Sequence, residues 1–362
     1  MAHQNAKKGV RLQDIADNLN LSASTVSRAL AGNQVINAET RDMVQRTAVS
    51  MGYIAPPQGV RRRRSATRTV GVLVSVNELH NRFMTLLLEY IHHDMLEFGY
   101  HVMVLIDAMN SATDATHLST FRPVIDGYLD GMILGSATTD SVLVRELQRL
   151  GVPTVLVVRS VEGMHVDIIE ADNARGGAEI MKHFHELGHL RIGLVMGPDD
   201  ASTSRDRARG ALQYLRGVGV AEHDTPVMWN AFTSDAGYSC AVQMLSEPNH
   251  VTAIMAGSDS IALGVLEAAR AKEILVPEEL SVAGFDDVPL SGSRLISLTT
   301  IHNPVKEMAR TACRRMVERI RNGGLTPPTR DVLPTRLVRR DTSAPPPRSG
   351  DGPARTPPHL PP

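Results

Sequence analysis

Two short segments with apolar stripes, joined by a tight turn at Asn20 and Leu21, lie at residues 12–30. Their apolar residues recur at helical spacing, and these are Ile15, Ala16 and Leu19 in the first segment and Val26, Ala29 and Leu30 in the second. The hydroxyl of Ser22 is placed to cap the second helix. This pattern predicts a helix-turn-helix, whose second helix enters the major groove of DNA. An ordinary helical hairpin with a solvated polar face would give the same pattern.

A third helix is predicted after Asn37, which can cap it, with Glu39 in its first turn. Its buried stripe is predicted to consist of Met43, Val44, Thr47, Ala48 and Met51, and Gly52 is placed to end it. Three such helices around one core make a head of about fifty residues, which has little stability of its own. A head of this size would read DNA best as one of a pair.

The same region resembles a known family. The positions that carry the resemblance are Asp14, Ile15, Ala16, Leu21, Ser22, Thr25, Val26, Ser27, Arg28, Ala29, Leu30, Asn37, Ala38, Glu39, Thr40, Arg41, Gly52 and Tyr53. In order and spacing they resemble the head of the lactose-repressor/galactose-repressor family of bacterial transcription regulators. Landmarks such as Asp172-Asn173, Arg205-Asp-Arg207 and Gly284-Phe-Asp286 extend the resemblance to about residue 340.

The resemblance implies a sequence-specific, effector-controlled transcription regulator, and a repressor in particular. Ser24, Thr25 and Arg28 are then expected to meet base edges or nearby phosphates, and Arg28 is the best candidate for a guanine contact. Ser22 and Asn37 are expected to meet phosphates while they cap their helices. A homodimer, with a higher oligomer also possible, would read near-palindromic operator DNA with two heads.

The charge distribution agrees with a head that meets a polyanion. Residues 1–68 hold 11 Lys and Arg against 4 Asp and Glu, a net charge of +7, whereas the remainder holds 27 against 35, a net charge of −8. A basic module joined to an acidic body indicates that only the head binds nucleic acid. The 362 residues contain no apolar run of membrane-spanning length, no signal peptide and only two cysteines, so a reduced, cytoplasmic protein without a membrane partner is expected.

Residues 55–68 form a linker rich in proline, glycine and arginine, which disfavours a stable free structure. It is either a solvated tether or a segment whose run 61–64, with Arg61 and Arg62, meets phosphates or the minor groove. By the resemblance it corresponds to a hinge helix that folds on operator DNA. Arg62 stands where the family has a minor-groove leucine, and Gly59 stands in place of an alanine, so the hinge-helix mechanism is in doubt here.

From Thr69 onward, apolar runs alternate with helical patterns. Strands are predicted at 70–76, 101–106, 131–135, 154–158, 192–196, near 227, at 253–256 and at 281–285. Helices are predicted at about 84–98, 113–122, 140–150, 174–187, 205–216, 234–245, 261–271 and 305–322. This alternation predicts doubly wound parallel sheets, and its length predicts two of them.

The predicted fold class is thus a small all-α helix-turn-helix head plus an α/β core of two doubly wound lobes, which by the resemblance form a clam-shell like that of periplasmic binding proteins. The predicted domains are a head at 1–54, the linker at 55–68, the core at 69–342 and a proline-rich disordered tail at 343–362. Also by the resemblance, lobe 1 comprises about 69–172 plus 299–326, and lobe 2 about 173–298 plus 327–342, so that 332–338 returns to the second lobe.

Open parallel sheets bind ligands beyond the carboxyl ends of their strands. The polar residues at the predicted strand ends are Asn77, Ser136, Arg159, Asp172, Asp259 and Asp286. The resemblance places five effector-binding residues in this cleft, namely Phe83, Arg159, Arg207, Phe232 and Asp286. A sugar or a sugar-derived metabolite suits an arginine fork, a carboxylate and aromatic faces. Alternatively, Arg207 pairs with Asp206 or Glu222 on the surface, the two phenylalanines are core residues, and Asp286 caps a turn.

The sequence contains few features that would indicate an enzyme. The chain has no phosphate-loop motif, and Gly193–Gly197 lacks the glycine spacing of a dinucleotide-binding loop. His185 and His189 have metal-ligand spacing, but Gly188 is expected to end the helix between them. No catalytic residue, metal or cofactor is therefore predicted. A clam-shell sugar-binding protein and a sugar-active enzyme without DNA regulation remain the alternative functions.

Overall fold

The computed structural model describes residues 12–30, 36–51, 67–75, 81–107, 127–220, 225–246, 251–322 and 326–347. The chain divides into two compact units, Met1–Arg63 and Arg64–Pro362. The predicted helix at 113–122, Asn77, Gly52, Gly59, Glu222 and the 61–64 run with Arg61 and Arg62 lie outside the described residues.

The first unit contains three helices, α1 (Leu12–Leu19), α2 (Ala23–Leu30) and α3 (Ala38–Ser50). Their shared core consists of Ile15, Ala16, Val26, Ala29, Val44 and Ala48. The helices and most of this core match the sequence prediction. Met43 does not, because its side chain is 43% exposed. Val44, one residue on, takes the inward position on α3 and leaves Met43 at the edge of the buried face.

The second unit is built around two parallel sheets. The first has the strand order β11-β5-β4-β3-β1-β2. Its strands are β1 (Thr69–Ser75), β2 (His101–Asp107), β3 (Gly131–Leu134), β4 (Thr154–Val157), β5 (Asp167–Ala171) and β11 (Arg330–Leu333). The helices α4 (Arg82–Glu97), α5 (Val142–Arg149) and α10 (Val305–Asn322) cover it.

The second sheet has the order β7-β6-β8-β9. Its strands are β6 (Ile192–Met196), β7 (Val227–Trp229), β8 (Ala253–Ala256) and β9 (Ser281–Ala283). Its helices are α6 (Asn173–Leu187), α7 (Ser202–Gly217), α8 (Ser234–Met244) and α9 (Asp259–Ala271). A short antiparallel pair, β10 (Thr300–His302) with β12 (Arg336–Val338), packs against this lobe through Ile301 and Leu337.

The last two strands of the chain, β11 and β12, do not both belong to the predicted lobe. Strand β11 pairs in parallel with β5, Arg330 opposite Ile168, so it completes the first sheet. The prediction that 332–338 returns as a whole to the second lobe is therefore wrong for Val332 and Leu333 and right for β12. The physical reason is β5, which was not predicted: Asp167 and Glu170 are buried in it and are neutralised by Arg319 and Arg330 from distant segments. The prediction that 299–326 belongs to the first lobe is wrong for β10, which pairs with β12 and packs against the second lobe.

The prediction of a disordered tail from Ser343 is wrong for residues 343–347. Thr342 and Ala344 form a strap along the edge strand β9: the Val282 N–H donates to Thr342 O (2.7 Å), and the Ala344 N–H donates to Ser281 Oγ (3.0 Å). Pro346 packs beside Gly188. These hydrogen bonds cover part of the outer edge of β9, which a composition argument does not reveal. Residues 348–362 lie outside the described residues.

The strap also contacts a buried histidine, which leads to a pH prediction. His183 Nε2 lies 2.9 Å from Ser343 Oγ, and burial, with nearby Arg339, lowers the pKa of His183 from 6.5 to about 4. The unfolded chain therefore takes up this proton first, and stability is lost as pH falls from about 6.5 to 4. We expect His183 to account for about 2 kcal/mol of lost stability between pH 7.5 and 5.0. Urea unfolding of His183→Gln should show that much less pH dependence, whereas the exposed His92→Gln should match the parent; equal pH dependence in all three proteins would contradict the assignment.

Candidate functional site

The second helix of the head presents a polar face. Ser24, Ser27 and Arg28 are exposed, and Thr25 is half-buried. Ser22 Oγ accepts the Thr25 N–H at 3.1 Å, so Ser22 caps α2 as predicted. The capping hydroxyl also lies 2.8 Å from Ser24 Oγ and from Thr25 Oγ1. Three hydroxyls thus cluster at the N-terminus of the helix, where anions are stabilised.

Arg28 extends the same face. Its Nε donates to Ser24 O at 3.2 Å and its Nη2 donates to Ser24 Oγ at 3.5 Å, and the side chain lies on the exposed surface of α2. At the start of α3, Asn37 Oδ1 accepts the Thr40 N–H at 2.7 Å, which confirms the predicted cap. The polar face therefore carries a bidentate donor next to hydroxyls, the combination used to read guanine and to hold phosphates.

In the second unit, Arg207 projects from α7 into the space between the two lobes and is 3% exposed. Its Nε donates to Asn173 Oδ1 (2.9 Å), its Nη1 donates to Gly257 O (2.5 Å), and its guanidinium lies 3.6 Å from the centroid of the Phe285 ring. Its Nη2 lies 3.5 Å from Asp286 Oδ1. The alternative of a surface pair with Asp206 is wrong, because Asp206 pairs with Arg209.

Asp286 follows β9 and is also buried. Its Oδ1 accepts from Asn303 Nδ2 at 3.1 Å, and its backbone φ of 125° is one that non-glycine residues rarely adopt. Burial raises the pKa of Asp286 to about 7, although Arg207 opposes the shift. A carboxyl group in this state can accept a hydrogen bond from a ligand or donate one near neutral pH.

The other predicted cleft residues lie around this pair. Phe83 is at the start of α4, where its N–H is held by the capping Asn81 Oδ1 at 3.0 Å. The guanidinium of Arg159 lies 5.5 Å from the centroid of the Phe232 ring. All five predicted effector residues line one small cavity of about 20 Å³, together with Asn81, Met84, Val158 and Thr203. The last four were not predicted, although Val158 adjoins Arg159 in the sequence.

The remaining polar strand ends have partners within the protein. Asp172 caps α6 by accepting the Arg175 N–H at 3.1 Å, and Ser136 Oγ accepts the Ser75 N–H at 3.0 Å. Asp259 is fully engaged by Thr300, Ser291 and the Val288 N–H. The structure therefore divides the polar residues at the strand ends into two groups. Some line the cavity, and the others form hydrogen bonds within the protein.

The histidines with metal-ligand spacing have different partners: His185 Nδ1 contacts Tyr214, and His189 bonds Thr252, Ser281 and Ala344. Among the described residues, His93, Asp94 and Glu97 could converge on an ion, but Arg310 already pairs with both carboxylates. None of the helices described combines the length and the hydrophobicity needed to cross a membrane.

A helix-turn-helix head in one chain with two parallel-sheet lobes around a polar cleft defines a ligand-regulated DNA-binding protein. Comparison with known proteins agrees. Residues 11–55 match the model of bacterial regulatory proteins of the lacI family, and residues 181–343 match the periplasmic binding protein-like domain. The transcriptional repressor CytR of Escherichia coli K12 is 30% identical over 302 residues, covering 83% of this chain and 87% of CytR. The chain belongs to the LacI family and is a helix-turn-helix transcription regulator.

Solved structures show the same architecture. The regulator CelR in complex with cellobiose superposes with a TM-score of 0.70 at 28% identity and covers 92% of this chain and 100% of that one. CelR of Thermobifida fusca is 29% identical over 343 residues, covering 91% of this chain and 97% of CelR. The lac repressor dimer bound to operator, at 23% identity and a TM-score of 0.66, shares the fold.

Proposed function

We propose that this protein is a cytoplasmic repressor that binds a near-palindromic operator as a homodimer and responds to a sugar or sugar-derived effector between its lobes. The observation that carries the proposal is that Phe83, Arg159, Arg207, Phe232 and Asp286 line one cavity. Arginine forks and a carboxylate serve vicinal hydroxyls, and aromatic faces cover the apolar side of a sugar ring. The cellobiose complex of CelR supports a saccharide as the effector class.

A binding role for the cleft fits better than a catalytic one. Arg207 is anchored by Asn173, Gly257 and Phe285, and Asp286 is anchored by Asn303. Such fixed groups orient a ligand. Among the described residues that line the cavity, none forms a pair of nucleophile and general base. A sugar-active enzyme would need such a pair, or a second carboxylate at the cavity.

Switching follows from the position of the cleft between two lobes. An effector that prefers one arrangement of the lobes shifts the population toward it, and this changes how the two first lobes of a dimer hold their linkers. The coupling is reciprocal, so operator DNA alters effector affinity by the same factor, about 5–150-fold for a coupling of about 1–3 kcal/mol. The arginine run at 61–64 is proposed to add phosphate contacts.

The roles assigned to the head predict one specific loss. Arg28→Ala is expected to weaken operator binding by roughly tenfold or more, because a bidentate guanine contact discriminates by about 1–3 kcal/mol. In a competition assay with singly substituted operators, the loss of sequence preference should be confined to one base pair of each half-site. Arg46→Ala changes an exposed arginine of α3 that pairs with Asp42, and this variant should keep the sequence preference of the parent. Unchanged preference in Arg28→Ala would remove Arg28 from base recognition.

The whole proposal is tested by selection of the full-length protein on a randomised near-palindromic DNA pool, with and without pooled sugars. Enrichment of one two-fold motif, altered by a sugar, is the expected result. Sugar binding without any enriched motif, under either condition, would instead indicate a clam-shell sugar-binding protein. Turnover of a cleft-bound sugar would indicate an enzyme.

A further inference from the structure

A second and larger cavity lies beside the effector cleft. This outer crevice has a volume of about 560 Å³, within the range of small-molecule sites. The first lobe contributes Thr139, the segment 160–168 and residues 328–330, and the second lobe contributes Ser202, Arg205, Asp206 and Arg209 from α7. A ligand held here would touch both lobes, so its binding would depend on their arrangement.

The lining of the outer crevice suits a neutral, polyhydroxylated ligand. Apolar side chains form one part of it, namely Val161, Met164, Val166, Ile168 and Pro328. Three arginines stand against them: Arg209 pairs with Asp206 (2.7 Å), Arg330 pairs with Glu170 (2.6 Å), and Arg205 donates to Asp199 O. Each of these bonds uses one of the five guanidinium donors of its arginine. Glu162 and Asp206 also line the crevice and, with the buried Glu170 bound to Arg330, they offset the positive charge of the arginines, which favours a glycosyl unit over an ion.

The two cavities meet at consecutive residues of both lobes. Val158 and Arg159 line the cleft and Ser160 and Val161 line the crevice; on α7, Thr203 and Arg207 face the cleft while Ser202, Arg205 and Asp206 face the crevice. Consecutive Cα atoms are about 3.8 Å apart, so the partition is about one residue thick. It is closed by two bonds between the lobes: the Ser160 N–H donates to Ser202 Oγ, and the Thr139 N–H donates to Asp200 O, each at 2.9 Å.

The inner cavity is too small to hold a sugar in this arrangement. Its 20 Å³ compares with about 10–15 Å³ for a single water molecule measured in the same way. The lobes must therefore separate to admit a ring, and separation breaks the Ser160–Ser202 bond that divides the two cavities. The state that admits the effector is thus also the state in which cleft and crevice become one continuous site.

We propose that the effector is an oligosaccharide of at least two glycosyl units, one in the cleft against the Arg207–Asp286 pair and the next in the outer crevice. This inference rests on the proposed sugar-responsive function. It assigns length selectivity to the crevice and ring recognition to the cleft. Arg209, which projects from α7 into the crevice, contacts the distal unit in this arrangement.

The test is calorimetric titration of the full-length protein with glucose, galactose and xylose and with the α- and β-linked disaccharides and trisaccharides of each. We expect one disaccharide to bind at least about tenfold more tightly than its monosaccharide, the gain from one charge-assisted hydrogen bond. Arg209→Ala should raise the Kd of that disaccharide about tenfold and leave the Kd of the monosaccharide unchanged. Arg175→Ala is the matched control, an exposed arginine paired within its own helix and away from the crevice, and it should change neither Kd.

A second variant, Thr139→Trp, fills the crevice from a half-buried position and should abolish the preference for the longer sugar. A monosaccharide that binds as tightly as every longer sugar, or a disaccharide unaffected by both crevice variants, would overturn the two-compartment site while leaving the cleft as the effector site. Failure of all sugars to bind would overturn the sugar-responsive function itself, together with this inference.

Discussion

Replacing Gly210 by alanine is expected to destabilise the second unit by about 3 kcal/mol, the upper end of the usual cost of overpacking. A Cβ atom at this position would lie well inside 3.0 Å of the Ala174 carbonyl oxygen, so α7 could not stay in place against α6. Gly177 makes the reciprocal approach, because a Cβ there would collide with the Arg207 carbonyl oxygen. The obstacles are backbone atoms of two packed helices, which cannot turn aside as a flexible side chain can.

Gly217 offers a control on the same helix. A Cβ built there meets no atom within 4 Å, so Gly217→Ala should stabilise the protein by about 0.5 kcal/mol through the unfolded chain. Opposite signs for the two alanines in urea unfolding are the expected outcome. Equal unfolding midpoints for the two variants would mean that α6 and α7 can separate freely. The position of Arg207 in the cleft would then lack support, because Arg207 lies on α7 at this contact.

The second large effect concerns Arg207 itself. Arg207→Leu is expected to cost about 3–5 kcal/mol, because it leaves the buried Asp286 without its cation and leaves Asn173 Oδ1 and Gly257 O without their donor. Leucine at both 207 and 286 should recover part of the loss, since no unpaired carboxylate then remains buried. Denaturant unfolding of the four proteins of this double-mutant cycle measures the coupling directly.

The comparison variant is Arg209→Ala, two residues further along α7. Arg209 is exposed and pairs only with Asp206 among the contacts described, and such surface pairs contribute about 1 kcal/mol or less. Its unfolding midpoint should stay close to that of the parent. If Arg207→Leu were as mild as Arg209→Ala, Asp286 would have to be protonated at the working pH, and repeating the measurement above pH 8 would reveal the missing cost.

Much of this architecture could be predicted from the sequence. The strand Ile192–Met196 and the helix Val305–Asn322 were predicted at their observed bounds, because each is a strongly periodic or continuously apolar segment with clear ends. The five predicted cleft residues do share one cavity, but periodicity alone would not have joined Arg207 to Asp286. That assignment depended on the family resemblance, since an arginine on a helix is ordinarily a surface residue.

The errors in the threading and in the tail have a common physical origin, which is pairing between residues far apart in the chain. Strand β5 carries two carboxylates at buried positions. Hydrogen bonds from Arg319 and Thr329 lower the pKa of Asp167 against the effect of burial, whereas burial raises the pKa of Glu170 despite Arg330. Neither pairing can be inferred from a short stretch of sequence. For this reason neither strand β5 nor its partner β11 was predicted from the sequence. The strap at Thr342 and Ala344 was missed for the same reason, because its hydrogen-bond partners lie on β9.

The late position of β11 in the chain also governs how the protein is made. During synthesis the N-terminal part emerges first, and the described helices of the head end at Ser50. The sheet of the first lobe stays open at β5 until Arg330–Leu333 has left the ribosome, after all four strands of the second sheet. A prematurely ended chain would therefore carry a finished head and an unfinished sensor. Effector control of the head therefore depends on the last strand of the first sheet, which places the completion of the sensor close to the end of synthesis.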